Sequence, residues 1–279
     1  MRKFSFWVIA CIVFLSEGGC LCATAGEIRI SVSILPQAYF VERVAGTRAR
    51  VHVMIPKGAS PETYEPTPQQ LVALSDSQFY VTVGAPGFPF EEKYLKTALG
   101  QNRRIRVVNM SDGVTYRKED PHVWTSPGAV RIAARNIERT LTAYDPAHGD
   151  EYRNNLRTFL ADIDATDRDI KRMLAEKKGS AFMVYHPAWG YFADEYGLVQ
   201  LAVEEEGKPV NAAHIRRMVD LAREKGIRAI LVQKGFDTKS ARAIARDIGG
   251  EVVETDPLER DWLHGMKNFT ALLAKVLRK

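Results

Sequence analysis

Residues 149–178 read GDEYRNNLRTFLADIDATDRDIKRMLAEKK, and this stretch decides how the chain is organised. It contains no proline and no internal glycine. Its larger apolar side chains recur at steps of three and four residues, with Thr166 filling the one gap: Tyr152, Leu156, Phe159, Ile163, Ile170 and Met173. That spacing predicts one long amphipathic helix ending at Gly179. At 1.5 Å per residue the helix would run about 40 Å, enough to cross two lobes. A dimerising coiled coil is the alternative, but few heptads have clean a and d positions.

Two similar series of short β-branched runs and helical stretches flank this helix. The runs before it are IRISVSIL (28–35), VHVMI (51–55), FYVTVG (79–84) and IRVVNM (105–110), and those after it are AFMVYH (181–186), LVQLAV (198–203), RAILVQ (228–233) and EVVETD (251–256). Alternation of strand and helix is typical of a parallel sheet covered by helices. We therefore predict an α/β fold with two lobes, each a mostly parallel sheet flanked by helices. The first lobe would span residues 26–146, the linking helix 147–179 and the second lobe 180–279.

The N-terminus carries the pattern of a secretory signal peptide. Arg2 and Lys3 precede an apolar run of residues 4–15, and small residues lead to a cleavage site after Ala25. A helix needs about 20 apolar residues to span a bilayer, and this run is shorter. We therefore expect a periplasmic protein with no membrane span after cleavage. Lipidation at Cys20 or Cys22 is a less favoured alternative, because Glu17 stands where a lipobox has Leu.

Composition excludes several classes of protein. The 279 residues carry a net charge of +5 with no block of basic residues, so nothing indicates a nucleic-acid partner. All three cysteines lie within the first 22 residues. The rest of the chain can therefore form no disulfide, no thiolate metal site and no cysteine nucleophile.

Two histidines and two carboxylates follow predicted strands. His122 lies in DPHVW after the last strand of the first lobe, and His186 ends a strand of the second lobe. Glu62 follows VHVMI, and Asp256 follows EVVE. Ligands of open α/β sheets bind at the carboxyl ends of strands, so each lobe would offer one imidazole and one carboxylate to the cleft between the lobes. A proline beside each histidine restricts the local backbone.

Such a set of four ligands neutralises a divalent cation and suits zinc, manganese or ferrous iron. Taken singly, each histidine could be a hydrogen-bonded structural residue, and each carboxylate a turn former or helix cap. The corresponding positions of all four favour a metal site.

The whole chain after the signal peptide resembles the solute-binding proteins of zinc/manganese ABC importers. The resemblance is carried, in order, by GASPETYEPTPQQ (58–70), DPHVWTSP (120–127), HPAWGYFADEYGL (186–198), the stretch 203–233 and TDPL (255–258). It implies two lobes joined by one long helix, with a metal ion buried between them and handed to a membrane permease. It also implies that His122, His186 and Asp256 are metal ligands.

The first ligand position departs from the family pattern. The family usually has Pro-His where this chain has Pro61-Glu62, and a glutamate could coordinate through both oxygens and favour a harder ion. His186 resembles the zinc branch of the family, whereas two imidazoles with two carboxylates resemble manganese sites. Zinc is preferred because its affinity exceeds that of manganese or iron at nitrogen-oxygen sites. Manganese and iron stay open.

The leading hypothesis is therefore a monomeric receptor without catalytic activity that captures a divalent metal ion in the periplasm and delivers it to an ABC permease. A metal-dependent hydrolase with Glu62 as general base is the alternative from another class, although no HExxH or GxSxG motif supports it. An adhesin or a receptor for a small organic ligand on the same scaffold is a third possibility.

The remaining polar residues near the predicted cleft receive simpler interpretations. Gln233 or Lys234 could hydrogen-bond a ligand at the end of its strand. The run Glu204-Glu205-Glu206 is interpreted as a solvated turn. His52, His214 and His264 are interpreted as structural or surface residues.

Overall fold

The structure, a computed structural model, describes residues 27–102, 104–204, 211–234 and 239–277. The predicted signal peptide at residues 1–25 and its cysteines lie outside these ranges, as do Glu205 and Glu206. Among the helices of the described ranges, none is both long and apolar enough to cross a bilayer.

The first sheet consists of four parallel strands in the order β2-β1-β3-β4. The strands are β1 (Ile28–Val32), β2 (Ala49–Val53), β3 (Phe79–Thr82) and β4 (Arg106–Asn109). The helices are α1 (Leu35–Ala45), α2 (Pro68–Ser75), α3 (Lys96–Gln101), which continues a π-helical turn at Glu91–Leu95, and α4 (Pro127–Tyr144). All four strands run parallel, so their carboxyl ends share one edge of the sheet.

The second sheet repeats this arrangement in the order β6-β5-β7-β8, again with every pair parallel. Its strands are β5 (Ala181–Val184), β6 (Val199–Ala202), β7 (Ala229–Gln233) and β8 (Glu251–Thr255). After α5 (Gly149–Leu174) come the second-lobe helices α6 (Gly190–Tyr196), α7 (Ala212–Glu224), α8 (Lys239–Asp247) and α9 (Trp262–Val276). The predicted fold class is confirmed.

Helix α5 is the predicted connecting helix, extended at each end by a short 3₁₀ turn. Its apolar face is buried between the lobes: Phe159 lies 6.1 Å from Phe40 of α1, and Phe40 lies 5.8 Å from Trp262 of α9, between ring centroids. Phe40 and Phe159 are fully buried. One apolar core therefore continues from the first lobe through α5 into the second, which holds the two cleft walls together.

Helix α4 was not among the helical stretches predicted from the sequence. Its start is nonetheless encoded locally, because Ser126 accepts the backbone N–H of Ala129 as N-cap and Pro127 occupies the first turn. The helix begins five residues after His122, so it fixes the end of the loop that carries this histidine.

Candidate metal centre

His122 lies in the loop between β4 and α4, and Asp120 holds it in place. The ring Nδ1–H donates to Asp120 Oδ1 at 2.8 Å, and the backbone N–H of His122 donates to the same oxygen at 3.0 Å. Burial lowers the pKa of His122, with the neighbouring His186 acting in the same direction and Asp120 against it. Burial opposes ionisation of Asp120, yet the contacts with His122 and the charge of Arg117 keep the pKa of Asp120 below its usual value. The buried imidazole is thus held neutral and oriented.

His186 follows β5 by two residues, directly before Pro187. Its Nδ1 lies 2.9 Å from Glu204 Oε2 and 3.2 Å from Glu62 Oε1, and its side chain is only 9% exposed. Glu204 itself follows β6 by two residues. Each imidazole therefore donates through Nδ1 to a carboxylate, the arrangement that fixes the tautomer and ring orientation of metal-binding histidines.

The two imidazoles meet across the cleft. His122 Nε2 lies 3.1 Å from His186 Nε2, and the ring centroids are 5.0 Å apart. When both rings donate through Nδ1, both Nε2 atoms present lone pairs to each other, an arrangement that a shared cation stabilises. Two nitrogens bound tetrahedrally to one zinc ion, each at about 2.0–2.1 Å, lie about 3.3 Å apart. The observed separation fits this geometry.

Glu62 reaches the cleft from the loop after β2. Its carboxylate forms a group with Glu204 and His186 whose ligand atoms lie within 4.8 Å of one another. Burial raises the pKa of Glu62, and the nearby Glu204 raises it further while His186 opposes the shift. Two carboxylates this close repel each other, so a cation in the cleft would favour the ionised form of both.

Asp256 is the one predicted ligand that the structure does not bring to the other three. Its Oδ1 accepts the backbone N–H of Leu258 at 2.9 Å, and the residue lines an adjoining cavity of about 300 Å³ that Lys57 and Lys234 also line. Burial raises the pKa of Asp256, and the two lysines act against this shift. Within the described ranges, Asp256 forms no hydrogen bond or ion pair with Glu62, His122 or His186.

Glu204 is the site residue that the sequence interpretation missed. Its side chain is 13% exposed and bonded to His186, so the prediction of a solvated turn is wrong for this residue. The usable signal was its place at the carboxyl end of β6, the same criterion that selected His186. The run of three glutamates obscured this position.

The cleft around the imidazoles has a volume of about 870 Å³ and is lined by both lobes. Trp124, which is 1% exposed, packs its ring 5.1 Å from that of His122 and donates its Nε1–H to the carbonyl of Pro257 at 2.8 Å. Trp262 in turn donates to the Trp124 carbonyl at 2.6 Å. These two hydrogen bonds join the lobes beside the cleft, and the indole ring of Trp124 shields the His122 ring from water.

The remaining polar residues singled out in the sequence differ in how close they lie to the two imidazoles. Gln233 is 8% exposed and lines the cleft, whereas Lys234 lines only adjoining cavities among those described. His214 donates from Nε2 to the carbonyl of Val203 at 2.8 Å, a structural role. His52 lies in β2 and His264 in α9, consistent with their structural or surface interpretation.

Chemically, the site offers nitrogen and oxygen donors to one cation. In a comparison with known protein families, residues 30–278 of this chain match the family described as zinc-uptake complex component A, periplasmic. The high-affinity zinc uptake system protein ZnuA of Bacillus subtilis is 22% identical over 91% of this chain and 88% of its own length.

Solved structures have the same fold. A crystal structure of ZnuA superposes with a TM-score of 0.85 at 36% identity, covering 90% of this chain and 99% of that chain. The laminin-binding protein Lmb of Streptococcus agalactiae, described as bifunctional with adhesin and metal transporting activity, superposes with a TM-score of 0.79 at 21% identity, covering 90% of this chain and all of that chain. The second likeness concerns the fold alone.

Proposed function

Because the chain belongs to the family of periplasmic zinc-uptake components, which bind a metal ion and deliver it to an ABC importer, we propose that its cargo is zinc and that His122 and His186 hold the ion. One observation carries this proposal: two oriented imidazoles from different lobes face each other through Nε2 at 3.1 Å. An ion bound there would contact both lobes, so binding and release would depend on how the lobes are arranged.

Glu62 and Asp256 complete the proposed ligand set as oxygen donors. Glu62 contacts His186 at Nδ1, so its side chain would have to turn toward the Nε2 side of the ring to bind an ion between the two facing nitrogens. Only Oδ1 of Asp256 accepts the Leu258 N–H, so Asp256 would bind the ion through Oδ2 while keeping this hydrogen bond. Zinc accepts such a mixture of nitrogen and oxygen ligands and binds it more tightly than manganese or ferrous iron does, which makes those two the alternatives.

We propose further that the protein is a monomer without catalytic activity, exported by its signal peptide to an extracytoplasmic compartment. A hydrolase would need an open coordination position and a free general base beside the bound water. Glu62 is the residue proposed for that role, but its contact with His186 and its closeness to Glu204, a geometry that a cation would stabilise, favour ligation or orientation instead.

The test is competitive titration of demetallated protein with zinc and manganese, using wild type, Glu62→Ala, Asp256→Ala and the double variant His122→Ala/His186→Ala. We expect equimolar zinc binding that the histidine double variant loses and that each carboxylate variant weakens at least about tenfold. Zinc binding that survives removal of both histidines would refute the proposed centre. Zinc binding unchanged in Glu62→Ala would remove Glu62 from the ligand set and call for a substrate screen.

A further inference from the structure

Helix α6 of the second lobe packs against the first-lobe segment that carries His122. The Tyr191 hydroxyl accepts the backbone N–H of Arg117 at 3.0 Å and donates to the backbone carbonyl of Asp120 at 3.1 Å. The Arg117 guanidinium also pairs with Asp194 of the same helix. Helix α6 therefore holds the backbone of the residue whose carboxylate orients His122.

A second contact lies at the other end of that segment. Glu195 of α6 accepts the hydroxyl hydrogen of Ser126 at 2.5 Å and the backbone N–H of Gly128 at 3.1 Å, and Arg131 lies 4.0 Å away. Ser126 and Gly128 form the N-terminal turn of α4, where backbone N–H groups lack partners within the helix and a negative charge is favourable. A carboxylate of the second lobe thus caps a helix of the first lobe.

The first residue of α6, Gly190, lies directly against the side chains of Asp120 and Arg117. A Cβ atom at Gly190, the first residue of α6, would lie 2.6 Å from Asp120 Oδ2 and 2.8 Å from Arg117 Nε. Contacts this short do not occur, so a side chain at this position would displace the Asp120 carboxylate or the Arg117 guanidinium. The absence of a side chain at Gly190 therefore leaves room for the carboxylate that orients His122.

We call the contact between α6 and the segment 117–128 the α6 joint. It connects the segments that carry the two proposed metal-binding histidines. His122 lies in the chain between Asp120 and Ser126, the two residues of its segment that hydrogen-bond to α6. His186 precedes α6 by four residues on a loop that Pro187 stiffens. A shift of α6 relative to the segment 117–128 would therefore change the separation of the two imidazoles.

We propose that helix α6 sets the distance between the Nε2 atoms of His122 and His186, and that Tyr191 and Glu195 are positioning residues for metal retention. This inference rests on the proposed function, since it assumes that the two histidines hold the ion. Neither residue is one of the proposed ligands; each acts by holding α6 of the second lobe against the segment 117–128 of the first. Displacement of α6 from the segment 117–128 would separate the two Nε2 atoms and release the metal ion.

The test compares the zinc dissociation rates of wild type, Tyr191→Phe, Glu195→Gln and the double variant, measured by transfer of zinc to an excess of chelator. We expect dissociation at least about tenfold faster in the double variant, together with a changed visible absorption spectrum of the cobalt-substituted protein, which reports ligand geometry. Asp150→Asn is the matched control, because it breaks an exposed ion pair with Arg153 at the start of α5, whereas the α5 residue that contacts α6 is Asp167.

Urea denaturation separates positioning from general stability. If the α6 variants are less stable but keep the wild-type dissociation rate and cobalt spectrum, the inference is wrong. Gly190→Ala provides a second test, because it removes no polar group yet should disturb the same joint, and an unchanged dissociation rate in this variant would also overturn the inference. Failure of the wild type to bind zinc would instead refute the proposed function.

Discussion

Side chains that are not themselves proposed ligands can still change the metal affinity of the site. Glu204 bonds to His186 Nδ1 as Asp120 bonds to His122 Nδ1, and such partners of ligating histidines typically change metal affinity by about 10–100-fold. We therefore predict that Glu204→Ala weakens zinc binding by about that factor, while Glu204→Gln, which keeps an acceptor, weakens it less. Competitive titration measures both. Glu251→Ala is the control, since Glu251 is exposed in the same lobe, and equal affinities for Glu204→Ala and this control would contradict the prediction.

Protonation of the imidazoles competes with the metal ion. Burial lowers the pKa of His122, so protons compete effectively only below the ordinary histidine range of about 6.5. We predict that zinc affinity changes little from about pH 8 to 7 and falls progressively as the pH drops below about 6. Competition against a chelator with known pH dependence measures this. The same affinity at pH 5 and pH 7.5 would exclude imidazole ligation.

At the scale of elements, one buried carboxylate ties the segment after β3 to the sheet. Glu91 accepts backbone N–H groups of Val83 at 2.6 Å and Gly84 at 3.0 Å, and also the hydroxyl of Ser33. Burial nevertheless raises the pKa of Glu91 to about 7, against these hydrogen bonds. The segment between Gly84 and Glu91 supplies Phe88, which packs on Trp124 beside the site.

This pKa shift has a defined sign for stability. The folded state keeps the Glu91 proton up to about pH 7 whereas the unfolded chain loses it near pH 4.5, so Glu91 ionisation destabilises the fold as pH rises through that interval. We predict that the unfolding free energy of Glu91→Gln, relative to wild type, increases between pH 5 and pH 8. Urea denaturation of both proteins at the two pH values measures it. A difference that does not change with pH would contradict the raised pKa.

The connecting helix offers a direct test of core packing. Phe159 is fully buried on α5, whereas Met173, on the same predicted stripe, is 42% exposed. We predict that Phe159→Ala lowers the free energy of unfolding by about 3–5 kcal/mol, because it leaves a cavity between the lobes, and that Met173→Ala costs less than about 1 kcal/mol. Chemical denaturation measures both variants. Similar losses in the two variants would mean that the lobes do not pack on Phe159.

Local sequence was sufficient for the strands, which are short β-branched runs, buried over most of their length where they lie at the centre of a sheet, and for α5, whose burial follows steps of three and four residues. It also located His122, His186 and Glu62 near one another, since strand ends share an edge. It could not predict that Glu204 contacts His186 or that Asp256 lines a cavity shared with Lys57 and Lys234. Those orientations depend on contacts between segments far apart in the chain, and local spacing does not encode them.

For the whole molecule, the continuous core and the α6 joint limit how far the lobes can separate. Helix α5 packs on α1 of the first lobe and α9 of the second, and rigid helices permit small shear motions rather than wide hinge opening. In the described part of the chain α5 connects the two lobes, and opening would have to break the Phe40–Phe159–Trp262 contacts and the tryptophan hydrogen bonds between the lobes. Release of the ion should then require local displacement at α6 more than separation of whole lobes.

We therefore predict that zinc binding changes the radius of gyration by less than about 1 Å, as small-angle X-ray scattering of demetallated and zinc-loaded protein would measure. Hydrogen exchange should show the complementary change, with increased protection on zinc binding at residues 117–128, from His186 to the start of α6, and in the loops that carry Glu62 and Asp256. The control is the His122→Ala/His186→Ala variant, in which added zinc should alter neither measurement. A contraction of several ångströms in the wild type would show that the lobes swing on a hinge, because packed shear contacts cannot open that far without exposing the Phe159 core.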